Sequence, residues 1–230
     1  MVPAVKSLLI HSDVDEIYLY IEDDEFPKKY GMPGEVVKVR NAKDQKYFDP
    51  DGPNMNSRFT YMAMMRATFA KEFPKDERIL SLDVDTIVDK DICELWDLPL
   101  DDGDGYYLAA TYEPERSDME GYFYTNIGVC LYNLSKLRDG KCDEVIKALN
   151  TKEYKYLEQD AFNELCQDQI YSMPPEYNSN WFTKLVDIPK IVHYAGIKKW
   201  SDKNLVKKYA DLEWGQTMKY RESRLKQGFK

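Results

Sequence analysis

Ile79-Leu80-Ser81-Leu82-Asp83-Val84-Asp85 is a largely apolar run that ends in two carboxylates one residue apart. Side chains on extended backbone alternate faces, so Asp83 and Asp85 emerge on the same side. Two ionised carboxylates ~5 Å apart at an effective dielectric of ~20 repel by roughly 3 kcal/mol. A divalent cation between them turns that repulsion into a site for anions such as phosphate. A pair of solvated loop aspartates is the plain alternative, and the same spacing occurs at Asp13/Asp15, Asp49/Asp51, Asp89/Asp91 and Asp102/Asp104. Only Asp83/Asp85 directly follows an apolar strand-like run. Ligands of open α/β sheets gather beyond the carboxyl ends of strands, which makes this pair the leading candidate for a metal site.

Outward from that strand, helical and extended patterns alternate, the signature of an α/β sheet. Val2, Val5, Leu8 and Leu9 mark one face of a first helix, with Pro3 tolerable in its opening turn. Ile17–Ile21 and 36–39 read as strands, 41–56 as a polar loop, and 57–73 as a helix that Pro74 ends. Further strands are expected at 106–111, 127–132 and 191–194, with helices near 143–149 and 159–166. No internal repeat or composition break divides residues 1–190. One domain over 1–200 with a helical tail over 201–230 is the expected organisation.

The chain has 230 residues, 43% of them hydrophobic and 18 of them tyrosine, enough for a sizeable core. Its net charge of −9 argues against nucleic acid as the main partner. From Lys198 onward ten Lys or Arg stand against four acids, so the basic tail is either a solvated helical end or a contact with an anionic surface. Cys93, Cys130, Cys142 and Cys166 show no Cys-x-x-Cys spacing and read as reduced thiols of a cytoplasmic protein. No signal peptide or membrane span is visible. A peripheral contact with the inner face of a membrane is the expectation that the tail adds.

A second strand end carries His193, after Lys190-Ile191-Val192. A neutral imidazole can complete a mixed oxygen and nitrogen site with two aspartates. Gly196 beyond it lets backbone approach a phosphate, and a following lysine supplies a point charge. Four motifs then stand in order: Leu82-Asp83-Val84-Asp85, Asn126-Ile127-Gly128-Val129-Cys130-Leu131-Tyr132-Asn133, Gln159-Asp160-Ala161-Phe162-Asn163 and His193 to Lys199. Together they resemble the family 8 glycosyltransferases, retaining enzymes of the galactosyl- and glucosyltransferase and glycogenin type.

The resemblance implies the GT-A fold, a Rossmann-like mixed sheet flanked by helices. It implies that Asp83, Asp85 and His193 hold Mn²⁺ or Mg²⁺ against the diphosphate of a UDP-sugar. Gly196 and Lys199 would contact that diphosphate, and Arg66 would approach the donor. Asn126, Gln159 and Asp160 would line the sugar and acceptor side, with a glycan, glycolipid or protein as acceptor. Members of the family open with a strand, whereas Met1–Leu9 already matches the helix that comes after it. The resemblance therefore implies an absent first strand and unpaired ladder groups on its neighbours. The chain also has Glu158 where Asp is common before Gln-Asp, and Lys199-Trp200 where Lys-Pro-Trp is usual.

The residues leave two other readings open. A chain lacking that strand could bind a nucleotide sugar without turning it over. Asp83-Val84-Asp85-Thr86-Ile87 also resembles the first motif of haloacid-dehalogenase-type phosphatases, with Asp83 as nucleophile and Asp85 as general acid. That motif usually lies near the N-terminus and has Thr or Val where Ile87 stands.

Overall fold

The computed structural model describes residues 1–228; Phe229 and Lys230 of the expected tail lie outside the described residues. In chain order the elements begin with α1 (Val2–His11), β1 (Ile17–Ile21), α2 (Phe26–Lys29) and β2 (Val37–Asn41). A 3₁₀ segment, Tyr61–Thr68, leads into α3 (Phe69–Glu72), β3 (Arg78–Leu82) and β4 (Thr86–Val88). The centre of the chain gives β5 (Leu108–Tyr112), α4 (Pro114–Glu120), β6 (Thr125–Asn133), α5 (Leu134–Leu137), α6 (Lys141–Thr151) and α7 (Leu157–Cys166). It closes with β7 (Ile170–Met173), β8 (Ile191–His193), α8 (Asn204–Ala210) and α9 (Trp214–Gln227).

The main sheet has the order β3-β6-β5-β7, with β5 antiparallel to β6 and parallel to β7. Every residue of β6 is buried, which suits a central strand covered on both faces. A buried hydrophobic cluster joins this sheet to α6, α7 and the 61–68 segment through Tyr132, Phe162, Ile127, Val145 and Met64. A register shift between Ala110 and Thr111 bends β5 beside β6. Two small pairs flank the sheet: β1 with β2, parallel, and β4 with β8, antiparallel.

Among the described residues β1 bonds only to β2, and β3 only to β6. Each thus leaves one ladder edge without a strand, and both edges line one cavity of about 1840 Å³. All five residues of β1 and all five of β3 face it, together with Leu8, Phe69 and Phe73.

The sequence expectation of one helix over 57–73 needs correction. Thr60 accepts the Met62 amide and starts the turn there, while Ser57 is occupied with Phe59. Residues Tyr61–Thr68 are 3₁₀, and α-helix begins only at Phe69. Strands β4 and β7 and helix α4 were not anticipated, because each is short and carries no distinctive period. The basic C-terminal segment packs back on the molecule: Val206 and Tyr209 are buried, and Lys6 Nζ donates to Ala210 O at 3.2 Å. No helix among the described residues is long and apolar enough to cross a membrane.

Candidate active site

Asp83 comes directly after the last residue of β3 and continues its ladder, donating its amide to Gly128 O at 2.7 Å. The chain then turns, and β4 begins at Thr86, which stands opposite His193 in the β4–β8 register. Asp85, one residue earlier, accepts the Tyr194 amide at 3.0 Å through its backbone carbonyl. The β4–β8 pairing, across more than a hundred residues of chain, thus brings both aspartates to one imidazole. His193 Nε2 lies 3.5 Å from Asp83 Oδ2 and 3.3 Å from Asp85 Oδ1. One ligand atom from each residue falls within 4.8 Å of the others.

Gly128 forms the floor of this cluster. A Cβ there would come 2.2 Å from His193 Cε1 and 2.7 Å from Asp83 Oδ2. No side chain fits without displacing two of the three groups, so the glycine of the Asn-x-Gly motif acts here through close approach. Two carboxylate oxygens and a nitrogen, half-open to solvent on the carboxylate side, suit a hard or borderline divalent cation. Burial alone would lower the imidazole, but its hydrogen bonds to Asp83 and Asp85 raise it to about 9. Together with Arg66, the imidazolium offsets the charge of the two acids when no metal ion does.

Arg66 sits behind Asp83. Its guanidinium donates to Asp83 and, at 2.9 Å, to Glu158 Oε1. Burial would raise the Asp83 carboxyl, yet Arg66 and His193 outweigh it and hold the acid down to about 2. Glu158 is buried, and desolvation lifts it to about 7 despite Arg66. Its Oε2 has no hydrogen-bond partner among the described residues.

Glu158, Gln159 and Asp160 occupy the first turn of α7, entered through Leu157 at φ +49°. A branched residue in the left-handed region is costly, and it sets the angle at which these side chains leave the helix. Gln159 accepts from the Ile127 amide at 3.2 Å and donates to Tyr124 Oη at 3.1 Å. Asp160 accepts from Tyr124 Oη and from the Tyr156 amide at 2.8 Å. Asn126 is buried and bonded to Glu113, Gly128 and Asn178. Gly196 takes φ +72° just beyond β8, with the Phe182 ring against it, and Lys199 is exposed three residues on.

Sequence reasoning therefore reached the three converging groups and Arg66, but not their supports. Asn178, Asn180, Glu113 and Tyr124 carry no spacing signal. Their only trace is an Asn-Ser-Asn run between turn residues.

The family model described as Glycosyl transferase family 8 matches residues 5–204. The chain belongs to that family. Curated relatives from Streptococcus pneumoniae include glycosyltransferase GlyB, 30% identical over 86% of this chain and 53% of its own length. General stress protein A of Bacillus subtilis is 26% identical over 93% of this chain and 86% of its own. The chain spans about a third to a half of the length of the curated relatives it matches first. Among solved structures, GlyE of S. pneumoniae superposes at a TM-score of 0.69 with 23% identity, covering 97% of this chain and 60% of that one. Galactosyltransferase LgtC, solved with donor and acceptor sugar analogs, gives 0.64 with 19% identity, covering 96% and 90%. These superpositions establish the GT-A fold that the four motifs implied. The haloacid-dehalogenase reading gains no support from the match of a different family over most of the chain.

Proposed function

We propose that this family 8 member transfers a hexose, with retention, from UDP-glucose or UDP-galactose to a glycan, glycolipid or protein acceptor. The observation that carries the reading is the convergence of Asp83, Asp85 and His193 over the Gly128 floor. These three residues would hold Mn²⁺ or Mg²⁺, which when bound supplies a Lewis acid for charge developing on the departing diphosphate. Arg66 keeps Asp83 ionised and fixed in rotamer. Gly196 offers close backbone approach to the diphosphate, and Lys199 a positive charge. Gln159 presents a carboxamide from the start of α7, suited to electrostatic support of an oxocarbenium-like carbon; a neutral amide is a poor nucleophile. Asp160, anchored by Tyr124 and the Tyr156 amide, orients that turn, and Asn126 would line the sugar side.

A donor screen tests the reading: UDP release from UDP-glucose, UDP-galactose and UDP-N-acetylglucosamine, with Mn²⁺ or with chelator. Mn²⁺-dependent release that falls about a hundredfold or more in Asp85→Asn is expected, since the lost stabilisation is several kcal/mol. A second reading is donor binding without turnover. Calorimetric UDP binding with no release from any donor would select it.

The basic C-terminal segment supports a peripheral contact with an anionic membrane, which would bring the site to a lipid-linked acceptor. Because Val206 and Tyr209 are core residues, truncation is a poor test. Replacing the exposed Lys198, Lys203, Lys207 and Lys219 by Glu should abolish co-sedimentation with phosphatidylserine vesicles. Equal sedimentation of both proteins removes the idea.

A further inference from the structure

Behind His193 lies a run of buried asparagines that the proposed chemistry does not use. His193 Nδ1 is 2.8 Å from Asn178 Oδ1 and 3.5 Å from Asn180 Nδ2. Asn178 and Asn180 are 0% and 1% exposed, so their amides must find partners inside the protein. Which way each amide points is fixed by backbone groups, which cannot flip. Asn180 Oδ1 accepts the amides of Phe182 at 2.8 Å and Thr183 at 3.1 Å, leaving its Nδ2 to donate to Asn178. Asn178 Nδ2 donates to the Asn126 backbone carbonyl at 3.2 Å and to Asn126 Oδ1 at 2.9 Å. Asn126 is held the same way, accepting from the Gly128 amide at 3.1 Å and donating to Glu113 at 3.2 Å.

With both ends anchored, Asn178 can present only its oxygen to the imidazole. An oxygen at 2.8 Å requires a proton on Nδ1. From this geometry we infer that Asn178 is a positioning residue: it keeps a proton on His193 Nδ1, so that Nε2, the nitrogen beside Asp83 and Asp85, is the one left to ligate a cation. Asn126 and Asn180 act through it. The inference rests on the proposed metal role only for its consequence; the Nδ1 hydrogen bond is a property of the protein alone. An outer hydrogen bond of this kind orients a ligating imidazole and raises its basicity. Asn180 Nδ2 stands ready as a competing donor: once the Asn178 oxygen is removed, it favours a bare Nδ1, which moves the proton to Nε2 and blocks the face toward the carboxylates.

The test uses the full chain and two readouts. Nitrogen-15 NMR of metal-free protein should show a hydrogen-bonded proton on His193 Nδ1 in wild type. Asn178→Leu should lose that proton. Calorimetry with Mn²⁺ alone should show affinity falling about 10- to 100-fold in Asn178→Leu. Asn178→Asp keeps the acceptor and should stay within about tenfold of wild type, on the near side of that range. A wild-type ring with a bare Nδ1 overturns the inference, whether or not either variant folds. So does Mn²⁺ affinity unchanged in a folded Asn178→Leu. Wild type that binds no Mn²⁺ but shows the Nδ1–H ring leaves the inference standing and removes the metal role instead.

Discussion

Gly128 and Glu158 are the residues at which single substitutions speak most directly. Gly128→Ala places a methyl 2.2 Å from the imidazole carbon and 2.7 Å from the Asp83 oxygen. Overpacking of this kind costs about 1–3 kcal/mol. Here it also spreads the three converging groups, so urea unfolding should show that loss together with a drop in Mn²⁺ affinity of at least about tenfold. Glu158 gives a pH signature. Its native carboxyl is raised from 4.5 to about 7, chiefly by desolvation. The folded state therefore binds this proton more tightly than the unfolded state. The cost of ionising it is absent below pH 4.5 and complete above pH 7. Across that window wild type should lose on the order of 2–3 kcal/mol that Glu158→Gln does not. Parallel stability profiles of the two proteins would rule this out. Asp83 and Asp85 were legible as a pair from their place after an apolar run. Asn178 was not, since an amide takes its role only from what surrounds it.

Among the elements, β6 and β1 lie at opposite ends of the stability range. β6 is buried along all nine residues and bonds to a strand on each side. β1 belongs to a two-stranded parallel pair, a marginal unit without further support. Local opening tracks such differences in paired and buried backbone. Amide exchange should thus be fastest in Leu19 and its β1 neighbours and slowest in Val129 to Leu131; equal protection would show that β1 is held by more than its one partner. Strands with strong β-formers, such as Ile17–Ile21, were readable within a residue or two. β4 was not, though it carries the register that sets Asp85 against His193. Three residues have too few side chains to show a period, and their pairing with β8 is a long-range event. Tyr61–Thr68 reads as ordinary helix from its apolar spacing, because i, i+3 contacts look alike in 3₁₀ and α geometry.

For the whole molecule the slot between β1 and β3 is the dominant feature. It leaves two ladder edges and the half-buried Ile79, Leu80 and Leu82 facing about 1840 Å³ of open space. The Met1 amino group lies 3.3 Å from Val84 O, at the carboxyl end of β3. An extended segment joined ahead of Met1 would run beside β3, and with α1 and β1 it would make a right-handed crossover. Adding about seven β-branched residues there should suppress binding of a hydrophobic dye and raise the melting temperature by several degrees. Unchanged dye binding would show that the slot does not accept a strand. The motifs in the amino-acid sequence alone determined the family and fold class, the acidic strand end and the residues that would meet there. These come from local pattern, in which strand alternation and neighbouring residue types are written directly. Only the tertiary structure decided that Asp83, Asp85 and His193 share one point, that Gly128 must be bare to allow it, and that asparagines from distant segments fix the imidazole. Those outcomes depend on strand pairing and burial between distant segments, which no local period encodes.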